Sequence, residues 1–121
     1  MKKPPDGTET PKAFVVELGA SWRRWARRRS GSELEEINQR LVQLVETFGK
    51  PHAHFGLGLR HLRENAFEFR ISRGIRIVFL FFKPNRLQLM MAGNHDEVRT
   101  WLKQTFEPTD VQSYYPQTAS I

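Results

Sequence analysis

The sequence predicts a single small α+β domain, with an N-terminal strand and an αα-hairpin packed on a curled antiparallel sheet and a C-terminal helix closing the order. Three observations predict it. The length, 121 residues, fits one domain and leaves little room for two. Leu34, Ile37, Leu41, Leu44, Val45 and Phe48 form an apolar stripe at helical spacing. Further on, Phe67-Glu68-Phe69-Arg70-Ile71 alternates strictly, the mark of a strand with one buried face.

The elements follow in order. Residues 1–12 are polar and proline-rich and read as a flexible arm, 13–106 as the folded domain, and 107–121 as a tail without periodic pattern. Tyr114 and Tyr115 offer that tail a means of docking on its own domain or on a partner. Ala13 to Leu18 is β-rich and gives the first strand. Ser21 to Arg29 gives a short helix, in which Trp22 and Trp25 share a face and read as core. Ser30-Gly31 breaks it, and Ser32-Glu33-Leu34-Glu35 predicts a capping box with Ser32 as N-cap and Glu35 reaching back. Gly49 and Pro51 stop the second helix.

A glycine-punctuated connection, Phe55 to Arg63, leads into the meander, with a short strand at its end. Arg73-Gly74 and Pro84-Asn85 separate strands at 67–72, 75–83 and 86–92. Gly93 ends the last of these. Asn94 or Asp96 caps a final helix through Val98, Trp101, Leu102 and Phe106.

Composition narrows the function. Without cysteine there is no disulfide scaffold, thiolate zinc site or cysteine nucleophile, in keeping with a reducing cytoplasm. The N-terminal lysines precede no apolar run, which argues against a secretory signal. The longest strongly apolar run, Ile77–Phe82, is too short to span a membrane. Nineteen Lys and Arg against thirteen Asp and Glu leave +6, which favours a polyanionic partner over a neutral one, although a merely soluble basic surface fits equally well.

On the outer face of the predicted meander, Glu68, Arg70 and Arg76 come together, with His95 just past the last strand. That set suits metal-independent phosphodiester cleavage. Histidine transfers protons near neutral pH, forked guanidiniums hold phosphate oxygens, and Glu68 is either a base or a partner of Arg70. Strand arginines are more often solvated or ion-paired edge charges, and His95 beside Asp96 also fits a helix cap. Arg60, His61 and Arg63 line the same edge and, with Arg73 and Trp101, are the candidate RNA contacts. Arg23, Arg24, Arg27 and Arg28 form a nucleic-acid track, a partner site or a solvated face. His52 and His54 lack the companions a zinc site needs, so no metal or cofactor is expected.

The hairpin followed by Leu59-Arg60-His61-Leu62-Arg63, Phe67-Glu68-Phe69-Arg70-Ile71, Ile75-Arg76-Ile77-Val78-Phe79 and Met91-Ala92-Gly93-Asn94-His95-Asp96-Glu97-Val98 resembles the RelE/ParE toxin superfamily of bacterial type II toxin–antitoxin modules, over about residues 13 to 106. The resemblance implies a RelE-like fold and one of two activities: mRNA cleavage without metal in the ribosomal A site, or inhibition of DNA gyrase by binding. It implies a cognate antitoxin, mRNA and the ribosome as partners, a homodimer or toxin–antitoxin heterotetramer, and a cytoplasmic setting without membrane attachment. By position, Arg76 matches the arginine that contacts the scissile phosphate in RNase members, and Arg70 a basic residue on the preceding strand. Glu68 falls where some members carry lysine and others use a nearby carboxylate, and His95 where members carry arginine or histidine. One departure is plain: many RNase members carry a catalytic tyrosine in or near the last helix. Here Trp101 stands nearby, which can stack on a base but cannot transfer a proton.

Overall fold

Val16 and Leu18 on one face, alternating with Val15 and Glu17 on the other, form β1 (Val15–Gly19), which runs directly into α1 (Ala20–Ala26). The structure is a computed structural model that describes residues 14–49, 56–72, 74–104, 111–114 and 116. The N-terminal arm, His52, His54, Arg73, Phe106 and Tyr115 lie outside the described residues. Helix α1 is shorter than its arginine-rich sequence suggests. Arg28 N–H donates to Trp25 O and Arg29 N–H to Ala26 O, so the chain tightens after Ala26 and leaves Arg27 to Arg29 in a turn.

The second helix, α2 (Gly31–Thr47), begins earlier than expected. The sequence holds two overlapping Ser-x-x-Glu patterns, and the cap forms on Ser30 rather than Ser32. Glu33 N–H donates to Ser30 Oγ at 3.2 Å and Ser30 N–H to Glu33 Oε1 at 2.8 Å. Choosing the earlier pattern satisfies both orphan donors and adds two residues to the helix. The stripe then buries Ile37, Leu41 and Leu44, but Leu34 stays 39% exposed in the first turn. Gly49, at φ +86°, follows the end of the helix as expected.

Four strands form the meander: β2 (Arg60–Arg63), β3 (Ala66–Ser72), β4 (Ile75–Phe82) and β5 (Arg86–Gly93). Helix α3 (His95–Lys103) and β6 (Val111–Tyr114) complete the order. The sheet has the order β2-β3-β4-β5-β1-β6: the β2–β5 meander is antiparallel as expected, and the parallel addition of β1 makes the whole sheet mixed. β1 lies parallel to β5, in the register Val16 to Leu87 and Leu18 to Leu89, while all other neighbours are antiparallel. Parallel pairing needs a long crossover. Here the helical hairpin and three strands intervene, so β1 is free to take the open edge of β5. The segment read as a tail supplies β6, which pairs antiparallel with β1 through Val16 to Tyr114.

The sheet separates two apolar layers. The larger holds Phe69, Ile77, Phe79, Leu87 and Leu89 beneath α1 and α2, together with Trp22 at 3% exposure. Phe48, at the end of α2, meets Phe14, Phe67, Phe79 and Phe81 edge-on with ring centroids 5.1–5.7 Å apart. Such contacts add to area burial and lock the helix end onto the sheet. The smaller layer, Ala66, Leu80 and Met90 with Leu62, Phe82 and Trp101, lies on the opposite face beside α3. That opposite face carries the charged residues of the meander.

Candidate functional site

Two rows of the sheet build the site. One runs Arg60, Glu68, Val78 and Met91 across β2 to β5; the next runs Arg70, Arg76 and Gly93 across β3 to β5. Arg76 is therefore the diagonal neighbour of Glu68, within reach of a long side chain. Its Nε–H donates to Glu68 Oε2 at 3.2 Å, and Arg60 Nη1 stands 3.6 Å from the same oxygen.

Glu68 was expected to face solvent. It lies on the outer face, but at 2% exposure it is buried, because two arginine side chains cover it. Its partners are Arg76 and Arg60, and not Arg70. A buried carboxylate is stable only when paired and hydrogen-bonded, and this one is. Arg76 is 18% exposed along its side chain, so most of it is packed. Its bond to Glu68 goes through Nε, leaving Nη1 and Nη2 without a partner among the described residues. Paired terminal nitrogens are the geometry that receives two oxygens of a phosphate.

Arg70 is exposed and directly opposite Arg76. Its backbone N–H donates to Leu57 O at 2.9 Å, which draws the 56–59 loop alongside. Gly58, at φ +68°, is required there. A Cβ at Gly58 would stand 2.6 Å from Arg70 Nε. The glycine lets the loop pass close to the Arg70 guanidinium.

His95 is the first residue of α3, two positions past Gly93 and so just beyond the end of the Arg70–Arg76 row. It is exposed. The cap is made by Asn94, whose Oδ1 accepts from Glu97 N–H at 2.8 Å, while Glu97 Oε1 accepts from Asn94 N–H at 2.8 Å. His95 thus takes no part in the capping bonds, and the carboxylates beside it belong to the helix start.

The remaining candidates divide. Arg60 joins the Glu68 cluster. His61 does not: its ring packs on Phe67 with centroids 4.9 Å apart and its Nε2 bonds Glu64 O at 2.6 Å, which ties it to the other face and the β2–β3 turn. Arg63 is exposed at the far end of β2, opposite Ala66 and away from the Arg70 row. Trp101 is half-buried against Leu80 and Met90. Arg24, Arg27 and Arg28 are exposed at α1 and the turn after it, and Arg23 is half-buried. Arg24 donates to Ser21 Oγ at 3.1 Å, and Arg29 stacks over Trp25 at 4.4 Å.

A second polar cluster on the outer face was not anticipated. Glu17 accepts two bonds from Arg86, at 3.2 and 3.0 Å, and one from the buried Gln88 at 3.0 Å. Its signal was present in the alternation of Glu17 with Val16 and Leu18, and of Arg86 and Gln88 with Leu87 and Leu89. Among the described residues, no three histidine or acidic side chains gather in a metal-binding group, and no helix is long and apolar enough to cross a membrane.

No family model and no curated protein matches the sequence. Solved structures similar to it include YafQ from E. coli strain BL21(DE3), at 10% identity over 69% of this chain and 94% of that one, with a TM-score of 0.47. The YoeB/ParE toxin from Agrobacterium tumefaciens is 20% identical over 66% of this chain and 97% of its own, with a TM-score of 0.46. A copper-bound mutant toxin from Helicobacter pylori is 17% identical over 72% of this chain and 99% of its own, with a TM-score of 0.49. Likeness at this level leaves the chemistry of this chain to its own residues.

Proposed function

We propose that this chain is the toxin of a type II toxin–antitoxin module and a metal-independent endoribonuclease that cleaves mRNA on the ribosome. The observation that carries the reading is Arg76, anchored through Nε on the buried Glu68 and paired across the strands with Arg70. In this reading the two guanidiniums hold the scissile phosphate and offset the charge that gathers on it. The 2′-hydroxyl loses its proton to water and attacks phosphorus. The bond from phosphorus to the 5′-oxygen breaks, and His95 protonates that oxygen, leaving a 2′,3′-cyclic phosphate and a free 5′-hydroxyl. Glu68 acts as a positioning residue for Arg76 and not as the base. Its burial and its two arginine partners support that role. Trp101 takes no proton-transfer role. The chain acts in the cytoplasm, and a cognate antitoxin, acidic where it meets arginines, silences it.

A second reading is a ParE-like gyrase inhibitor that binds without catalysis. It is favoured by the exposed Arg24, Arg27 and Arg28, which lie on the helical hairpin and are not part of the Arg76 cluster. Tightly controlled expression followed by mapping of mRNA 5′ ends, with Arg76→Ala as control, separates the two. New 5′ ends that vanish in the variant support the nuclease. Their absence, with loss of gyrase supercoiling activity, sinks it.

A further inference from the structure

The pairing of β1 with β5 stops at Leu18 and Leu89. There the chain turns through Gly19 into α1, and a Cβ on Gly19 would stand 2.9 Å from Leu89 O, so the turn hugs the strand. Met91 and Ala92 lie beyond that point, and among the described residues no strand continues along their edge. An unpaired strand edge presents backbone N–H and C=O groups that need partners. Over this edge lies a groove of about 500 Å³ between α1 and α3, lined by Trp25, Met91, Asn94, Asp96, Thr100 and Trp101 among others. Its volume is that of an ordinary small-molecule site. It begins one residue from Gly93, the cross-strand partner of Arg76.

We propose that this groove is a nucleobase-reading subsite, resting on the reading of the chain as an RNA-cleaving protein. Trp101, half-buried against the Ala66, Leu80 and Met90 cluster, supplies the stacking surface; Trp25, which Arg29 overlies at 4.4 Å, forms a wall. Glu97 Oε1 is committed to the helix cap, whereas Asp96 has no bond among the described residues. An exposed carboxylate in the groove repels phosphate and accepts from exocyclic amino groups. Adenine, cytosine and guanine carry such a group and uracil does not. The groove therefore takes an amino-bearing base and leaves the phosphate to Arg70 and Arg76 outside it.

The test uses 2′-O-methyl hexanucleotides of A, C and U, which lack the attacking hydroxyl and are not cut. Their affinity for the full chain is read by fluorescence anisotropy at two salt concentrations. The A and C oligomers are expected to bind on the order of tenfold more tightly than U, the effect of one charge-assisted hydrogen bond at a solvated site. Asp96→Asn narrows that ratio, Thr100→Tyr fills the groove and removes it, and Arg70→Ala weakens all three oligomers alike. Equal affinities in the parent chain, or a preference unchanged by both groove variants, overturns the subsite and leaves the RNA reading standing. No salt-dependent binding of any oligomer overturns both.

Discussion

Arg76 donates to Glu68 through Nε at 3.2 Å, so the bond that anchors the arginine is made by the one guanidinium nitrogen that a forked phosphate contact does not need. A lysine at this position has a single nitrogen and cannot serve both anions in this geometry. Arg76→Lys is expected to lose nearly as much cleavage as Arg76→Ala, on the order of 10²-fold or more. Single-turnover cleavage of a model RNA measures it, and full activity in the lysine variant would count against the anchored fork. Glu68→Gln keeps the shape and removes the charge. It is expected to lower kcat more than it raises KM, and to cost about 2 kcal/mol of stability through the weakened charge-assisted hydrogen bond from Arg76 and the lost ion pair with Arg60.

His95 stands outside the capping box, so its replacement leaves the fold intact. His95→Ala is expected to reduce cleavage by about 10²–10⁴-fold, the usual share of an acid–base group, with oligonucleotide affinity and melting temperature almost unchanged. Substrate with a 2′-deoxy sugar at the cut site should resist cleavage altogether, and equal cutting of the two sugars rules out attack by the 2′-hydroxyl.

Gly58 and Arg70 are coupled by space, with 2.6 Å between a Cβ at Gly58 and Arg70 Nε. Gly58→Ala is expected to cost about 1 kcal/mol or more, from the left-handed backbone and the clash together. It should also weaken RNA binding, because Arg70 must move. In an Arg70→Ala background the steric part disappears, so the double-mutant cycle is non-additive. Additive losses would show that the loop and Arg70 are independent.

The cap of α2 gives a pH signature. Glu33 is held below its ordinary value, first by its bond to the Ser30 backbone and then by the Ser30 side chain. A carboxyl shifted down stabilises the fold above its unfolded-state pKa, and that contribution is lost as pH falls through the lower folded value. Ser30→Ala should lower stability by about 1 kcal/mol at neutral pH. It should also flatten the acid side of the stability profile, as chemical denaturation at several pH values will reveal.

Periodicity alone located the main helices and the strands of the meander, because Leu41, Leu44, Phe69 and Ile77 sit on faces whose repeat is written in the chain. The start of α2 was misplaced because Ser30-x-x-Glu33 and Ser32-x-x-Glu35 are equivalent as patterns. Only the position of the preceding turn decides between them. The mixed sheet was not legible either, since β1 chooses its neighbour through contacts made after more than half the chain has passed. At the site, alternation put Glu68, Arg70 and Arg76 on one face. It could not say that Glu68 would pair diagonally with Arg76 and be buried, which depends on strand register. Alternation does not separate His61 from Arg60 and Arg63, because β2 is short and its register shifts between His61 and Arg63.

Residues 111–114 do more than extend the sheet. Tyr114 donates its hydroxyl to Asn38 on α2, and burial pushes its phenol above the ordinary value. With β6 in place, both edges of β1 are occupied by strands of the same molecule. A chain cut before Val111 would present the Val15–Gly19 backbone as an open ladder, the kind of edge on which a second chain adds itself. Its failure would be self-association and not simple unfolding. Sedimentation of the truncated chain at rising concentration should show oligomers that the full chain does not form, and a truncated chain that stays monomeric would mean that β6 is not the guard of that edge.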